Sequence, residues 1–130
     1  SLLVSPNADD YTLLVVEDDP TNLSFIHAIF SETRSIRLIH ASNGREALDM
    51  FKANIKIDLV LMDIKMPVMD GIQATSEIRK LNSKVPILAV TSYAQEEEKK
   101  KAVSVGCQEV VIKPFNVETL RSAVVKYLVH

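Results

Sequence analysis

Three things are scarce in this 130-residue sequence, and each scarcity closes off a class of protein. Cys107 is the single cysteine. A lone cysteine forms no internal disulfide, which sets aside the disulfide-stapled secreted domains and fits a reducing compartment; Cys107 reads as a small buried apolar residue. Basic charge is not in excess. With a formal net charge of −2, the chain as a whole offers no field for nucleic acid or for an anionic membrane surface. Long apolar runs are missing too: none approaches the roughly 18 to 20 residues that cross a bilayer, and the N-terminus lacks the basic-then-apolar order of a signal peptide. No membrane insertion and no direct nucleic-acid binding are therefore expected of this chain. Internal repeats and low-complexity tracts are also lacking, which excludes solenoids and fibres.

What is present suits one globular domain. The length matches a single core, and an apolar fraction of 47% with 25% charged residues is ordinary for a folded chain. Residues 1–10 form a loose polar stretch and read as a linker or chain edge, leaving 11–130 for the domain. Five apolar runs of strand length recur: Leu13 to Val16, Ile36 to Ile39, Leu59 to Met62, Ile87 to Val90 and Val110 to Ile112. Several are continuous, as strands buried on both faces of a parallel sheet are. Between them lie segments of helical spacing. The first follows Asp19-Pro20 with Leu23, Ile26, His27 and Phe30; the second opens at Asn43-Gly44 with Ala47, Leu48 and Phe51; the third follows Asp70-Gly71 with Ile72, Ala74, Ile78 and Leu81. A fourth runs from about 95 to 105 and stops at Gly106; a fifth starts from the N-cap Asn116 with Val117, Leu120, Val124 and Leu128. Strict alternation of strand and helix predicts an α/β fold, a doubly wound parallel five-stranded sheet with helices on both faces. The charged run 96–101, three glutamates then three lysines, reads as a solvated helix face.

Polar residues fall where such a sheet concentrates chemistry. Glu17 and Asp18 end the first run, Asp63 the third, Thr91 the fourth and Lys113 the fifth. Carboxyl ends of parallel strands share one rim, and ligands bind there. Three clustered carboxylates repel one another unless a cation lies among them or one takes up a proton; of the two remedies a hard dication is favoured, and Mg²⁺ suits a set of few acids with an open face. His27, His40 and His130 do not flank these ends, which disfavours zinc. Lys113 and Thr91 add an ammonium and a hydroxyl able to grip an anion with several oxygens. A carboxylate nucleophile beside a metal and a lysine suffices for phosphoryl transfer, and Asp63 is the natural nucleophile.

The segments Val15-Val16-Glu17-Asp18-Asp19-Pro20, Leu61 to Gly71 (with Asp63, Lys65, Met66-Pro67 and Asp70-Gly71), Ala89-Val90-Thr91-Ser92 and Lys113-Pro114-Phe115 resemble those of response-regulator receiver domains, in order and in spacing, from about Thr12 onward. The resemblance implies a flavodoxin-like (βα)5 fold with strand order 2-1-3-4-5. It implies that Asp63 takes the phosphoryl group from a phosphohistidine; that Asp18, Asp63 and the backbone carbonyl of Lys65 hold Mg²⁺, or Mn²⁺ in its place; and that Glu17 assists through water on the metal. Thr91 and Lys113 would hold the phosphoryl oxygens, and Lys113-Pro114 would be cis. Such a module catalyses its own phosphorylation and dephosphorylation. The implied partners are a sensor histidine kinase or a histidine phosphotransfer domain, the state a monomer or weak homodimer, and the place the cytoplasm or the cytoplasmic part of a membrane-anchored hybrid kinase. Asp19-Pro20-Thr21-Asn22-Leu23 with Gly106-Cys107 is most similar to receivers of hybrid histidine kinases.

Two departures carry expectations. Val110, three residues before Lys113, stands where many relatives have a Tyr or Phe that rotates on activation, so the response on the surface of the fourth and fifth helices and fifth strand should be muted. Lys65 and Tyr93 lie two residues beyond Asp63 and Thr91, where bulk would shield the phosphorus and lengthen the life of the phosphorylated state. Two rival readings share parts of the pattern. A degenerate receiver used as a protein-binding scaffold would not need the complete acid, threonine and lysine set. A Mg²⁺-dependent phosphatase acting through an aspartyl phosphate would need a second acid at the place Lys65 occupies.

Overall fold

Three of the five apolar runs, Leu13 to Val16, Leu59 to Met62 and Ile87 to Val90, bury completely because they lie in the middle of a sheet covered on both sides, as the computed structural model shows for residues 11–31, 35–92 and 95–128. The elements alternate without exception: β1 (Tyr11–Val16), α1 (Pro20–Phe30), β2 (Ile36–Ala41), α2 (Gly44–Lys52), β3 (Leu59–Asp63), α3 (Gly71–Leu81), β4 (Ile87–Thr91), α4 (Glu96–Ser104), β5 (Glu109–Ile112) and α5 (Val117–Leu128). All pairings are parallel, in the order β2-β1-β3-β4-β5. This is the flavodoxin-like order that the resemblance implies.

Successive residues of one strand serve opposite layers, as the two-residue period of a strand requires. Leu14, Val16, Val60, Met62, Ile87 and Ala89 face α2, α3 and α4, where Leu48, Phe51, Ala74, Ile78 and Ala102 meet them. Leu13, Val15, Leu59, Leu61, Leu88 and Val90 face α1 and α5, against Ile26, Ile29, Phe30, Leu120 and Val124. Continuous burial along β1, β3 and β4 is thus the sum of two half-patterns. β2, at the edge, is covered less fully and alternates more.

Polar side chains start the helices where the sequence places them. Asp19 accepts from the Thr21 N–H at 2.9 Å, Asp70 from Gln73 at 2.8 Å and Asn116 from Thr119 at 2.7 Å. At α2 two bonds close the start: Asn43 Oδ1 accepts from the Glu46 N–H, and Glu46 Oε1 reaches back to accept from the Ser42 N–H. Gly106 sits at φ 120 beyond α4, the left-handed stop its position predicts. Two expected core positions are corrected. His27 is exposed and Ile29 fills that layer instead, and Leu81, at the last turn of α3, is 52% exposed because the helix runs past the edge of the core. Cys107 is buried beside Thr75 Oγ1 at 3.8 Å, as expected of an apolar role. Residues 1–10, Tyr93 and His130 lie outside the described residues.

Candidate functional site

Register decides what meets at the rim. Val16 pairs with Met62 and Asp63 with Val90, while Thr91 pairs with Ile112, so the residues that follow or end four strands emerge side by side. They line one cleft of about 350 Å³ that contains Glu17, Asp18, Asp63, Lys65, Thr91 and Lys113 together. Every site residue inferred from the sequence is at this cleft. Asn22, Ser92 and Asp19 also line it and were not inferred. Their signal was present: Asn22 is one turn of α1 beyond the cap Asp19, which its side chain contacts at 3.3 Å, and Ser92 simply follows Thr91.

The Lys113 ammonium is the pivot. It lies 3.2 Å from Glu17 Oε1 and 3.4 Å from Asp63 Oδ2, with Glu17 and Asp63 almost fully withdrawn from water. The remaining carboxylate oxygens are held by main chain: the Asp19 N–H donates to Glu17 Oε2 at 3.2 Å and the Lys65 N–H to Asp63 Oδ1 at 3.2 Å. His40 Nε2 lies 2.8 Å from the Glu17 carbonyl oxygen; a carbonyl only accepts, so that nitrogen carries the proton. Asp18 is exposed at the mouth, and Thr91 is buried at the floor. The Lys113-Pro114 bond is cis.

One ammonium does not balance this many carboxylates. Asp63 is pushed up from 3.8 to about 7, first by burial, then by its hydrogen bond with Glu17 and the charge of Glu17, against the smaller pull of Lys113 and the Lys65 N–H. One carboxylate oxygen from each of Glu17, Asp18 and Asp63 lies within 4.8 Å of the other two. The donor set fits a hard dication in its oxygen chemistry and in its unmet need for positive charge.

The loop after Asp63 folds back to present Lys65. Gly71 N–H bonds to the Ile64 carbonyl at 2.9 Å, and Met69 N–H bonds to the Pro67 carbonyl at 2.7 Å across Val68, whose φ is 70. Only glycine fits at 71, because a Cβ there would lie 2.3 Å from the Asp63 carbonyl oxygen. Gly71→Ala is expected to destabilise by about 2 to 3 kcal/mol, read in urea unfolding, since the clash is with backbone and not with a movable side chain. Val110 is half-buried against the α2–α4 layer and lines the groove between β5 and α5, so position 110 itself carries no ring.

The family description "Response regulator receiver domain" matches residues 13–125. The chain is 39% identical over 112 residues to chemotaxis protein CheY of Halobacterium salinarum, covering 86% of this chain and 92% of that protein. Other curated relatives are far longer: the chain spans 15% of a sensor histidine kinase, 27% of a transcriptional regulatory protein and 7% of a hybrid histidine kinase that it matches. Among solved structures, the receiver domain of sensor histidine kinase PA1611 from Pseudomonas aeruginosa, with magnesium in its active-site cleft, superposes with TM-score 0.84 at 28% identity, over 93% of this chain and 99% of that one. The complex of the Saccharomyces cerevisiae phosphotransfer protein Ypd1 with the receiver domain of Ssk1 gives 0.84 at 27%, over 92% and 89%. Among the described residues, no helix is long and apolar enough to cross a membrane.

Proposed function

Since the chain belongs to the response-regulator receiver domain family, we propose that it is a phosphoacceptor: Asp63 takes a phosphoryl group from a phosphohistidine and the domain, 11–130, relays or signals it. One observation carries the reading. A buried aspartate at the end of a central strand shares a lysine with a second buried acid, inside a cleft whose carboxylates outnumber its cations.

Asp18, Asp63 and the Lys65 carbonyl would hold Mg²⁺, with Glu17 behind them; bound there, the ion supplies the positive charge that the acids lack and that an incoming phosphoryl group needs. The protein's own groups do the rest. Burial strips water from the Asp63 carboxylate, and the Lys65 N–H fixes one of its oxygens in place. An O–P bond forms at Asp63 as the N–P bond of the phosphohistidine breaks and the imidazole leaves, keeping or taking up a proton. The Lys113 ammonium and the Thr91 hydroxyl stand where the transferred oxygens come to rest.

A partner must reach this cleft, and the surface beside it suits one. Phe25, 41% exposed, packs on Phe115 with ring centroids 5.7 Å apart, and the two border an apolar hollow that ends at Lys113. Exposed aromatics next to a reaction site are favoured docking anchors, and a histidine phosphotransfer protein or kinase domain is the proposed occupant. With Mg²⁺ and acetyl phosphate the wild type should gain the mass of one phosphoryl group, acid-stable and hydroxylamine-labile, and Asp63→Asn should gain none. A gain that persists in Asp63→Asn would show the nucleophile to be another residue.

A further inference from the structure

One ion pair at the cleft has no part in that chemistry. Lys65 Nζ lies 3.5 Å from Glu98 Oε1, joining the β3–α3 loop to the first turn of α4 across the cleft that Lys65 lines. α4 is otherwise lightly held. Ala102 is its one buried residue, whereas α5 buries Leu120, Ala123, Val124 and Leu128. Its N-cap, Gln95, makes no side-chain cap bond, and Val103 is 55% exposed. A helix with so little apolar anchorage belongs to the low-stability end of a fold, where a contact worth about 0.2 to 1 kcal/mol shifts its position measurably.

We infer that the Lys65–Glu98 pair is a latch: it holds the first turn of α4 to the β3–α3 loop while Asp63 is unmodified, and it opens when a phosphoryl group on Asp63 draws the Lys65 ammonium into the cleft. The inference rests on the reading of Asp63 as phosphoacceptor. Its physical basis is competition for one cation. The Lys65 main chain is fixed beside Asp63 by its N–H bond, so its flexible stem pivots from a point at the cleft. Glu98 offers a single charge at a partly exposed rim. A phosphoryl group brings roughly two negative charges and three strong acceptors to a place less open to water, where charge-assisted bonds are stronger. Even with Mg²⁺ bound, replacing the Asp63 carboxylate by a phosphoryl dianion adds one negative charge to a cleft whose Lys113 is already divided between Glu17 and Asp63. With Val110 in place of a mobile ring, this pair gives the modified cleft a route to α4. Linkage makes the effect reciprocal: breaking the latch favours the phosphoryl state by as much as that state weakens the latch.

The test uses Glu98→Gln, Lys65→Met and the double variant, with Glu97→Gln as control for losing one charge from the same helix end. In unphosphorylated protein, hydrogen exchange of the α4 amides should quicken about two- to five-fold in either latch variant, no further in the double, and little in the control. With Mg²⁺ and limiting acetyl phosphate, the ratio of phosphorylated to unmodified protein should rise about two- to five-fold in Glu98→Gln and stay near wild type in Glu97→Gln. Phosphorylation should quicken α4 exchange in wild type and leave Glu98→Gln unchanged. Additive exchange effects, or a Glu98→Gln ratio equal to that of wild type, overturn the latch. A wild type that gains no mass fails earlier, at the phosphoacceptor reading, and takes the trigger with it.

Discussion

In metal-free buffer at pH 8, Asp63→Asn should be more stable than the wild type by about 2 kcal/mol, and near pH 5 the two should be equal. The reason is the burial of Asp63 beside Glu17, which raises its carboxyl from 3.8 to about 7. Between those values the folded state holds a proton that the unfolded chain has released. Stability therefore falls as pH rises, by at most about 1.4 kcal/mol per pH unit. The contribution is fully present below 3.8 and is gone once pH passes about 7, where the folded protein carries an ionised, desolvated carboxylate. Asparagine has the same shape, keeps an oxygen for the Lys65 N–H and has nothing to titrate. The full linkage, already net of the pull of Lys113, would approach 4 kcal/mol in order of magnitude; screening by water in the open cleft takes back part of it. Urea unfolding of both proteins across pH 5 to 8 reads the difference. An Asn variant less stable than wild type at pH 8 would mean that the Lys113 ion pair outweighs the cost of burial.

Magnesium should reverse that order. A ligand bound only by the folded state stabilises by about 2.7 kcal/mol at a hundred times its dissociation constant, and Asp63→Asn removes one of the acids that fit it. The same proton that stabilises the metal-free protein competes with the ion, so the apparent Mg²⁺ affinity of wild type should fall as pH drops below about 7. The burial of Asp63 beside Glu17 thus costs stability in the metal-free state.

Much of this was legible in the sequence, for a definite reason. A parallel sheet covered on both faces leaves uninterrupted apolar runs, and the residue after each run lands at one rim, so strand ends could be converted into a site without knowing any distance. β1, β3 and β4 read in this way, and so did the caps Asp19, Asn43, Asp70 and Asn116, whose bonds are local. Helical spacing was less reliable at the helix ends. Leu81 and His27 fit the period, yet one lies past the edge of the core and the other on the solvent side of α1. What the sequence did not disclose was the partnership of Lys65 with Glu98. It is set by the way a loop folds over the rim, and neither spacing nor composition encodes that. Proton uptake by one of the clustered acids was foreseeable, but that Asp63 is the one raised depends on how deeply two acids are buried together.

Lys113→Met should be the most damaging conservative change at the site, costing about 3 kcal/mol at pH 8. Methionine retains most of the unbranched stem and its packing while deleting the charge, so the loss reports the ion pairs at 3.2 and 3.4 Å and not a cavity. Glu17 and Asp63 would then face each other with no cation between them, a buried charge left without compensation. Relief comes from protons: without the pull of Lys113 the Asp63 carboxyl moves higher still, so the deficit should shrink as pH falls below 6. Removing the acid as well should restore stability, making Asp63→Asn/Lys113→Met more stable than Lys113→Met alone, with a coupling of 1 kcal/mol or more expected for groups in direct contact. Equilibrium unfolding of the four proteins closes the cycle. If the double variant were as unstable as Lys113→Met, the lysine would be acting through its packing against Pro114 and the strand ends, and its charge would be incidental.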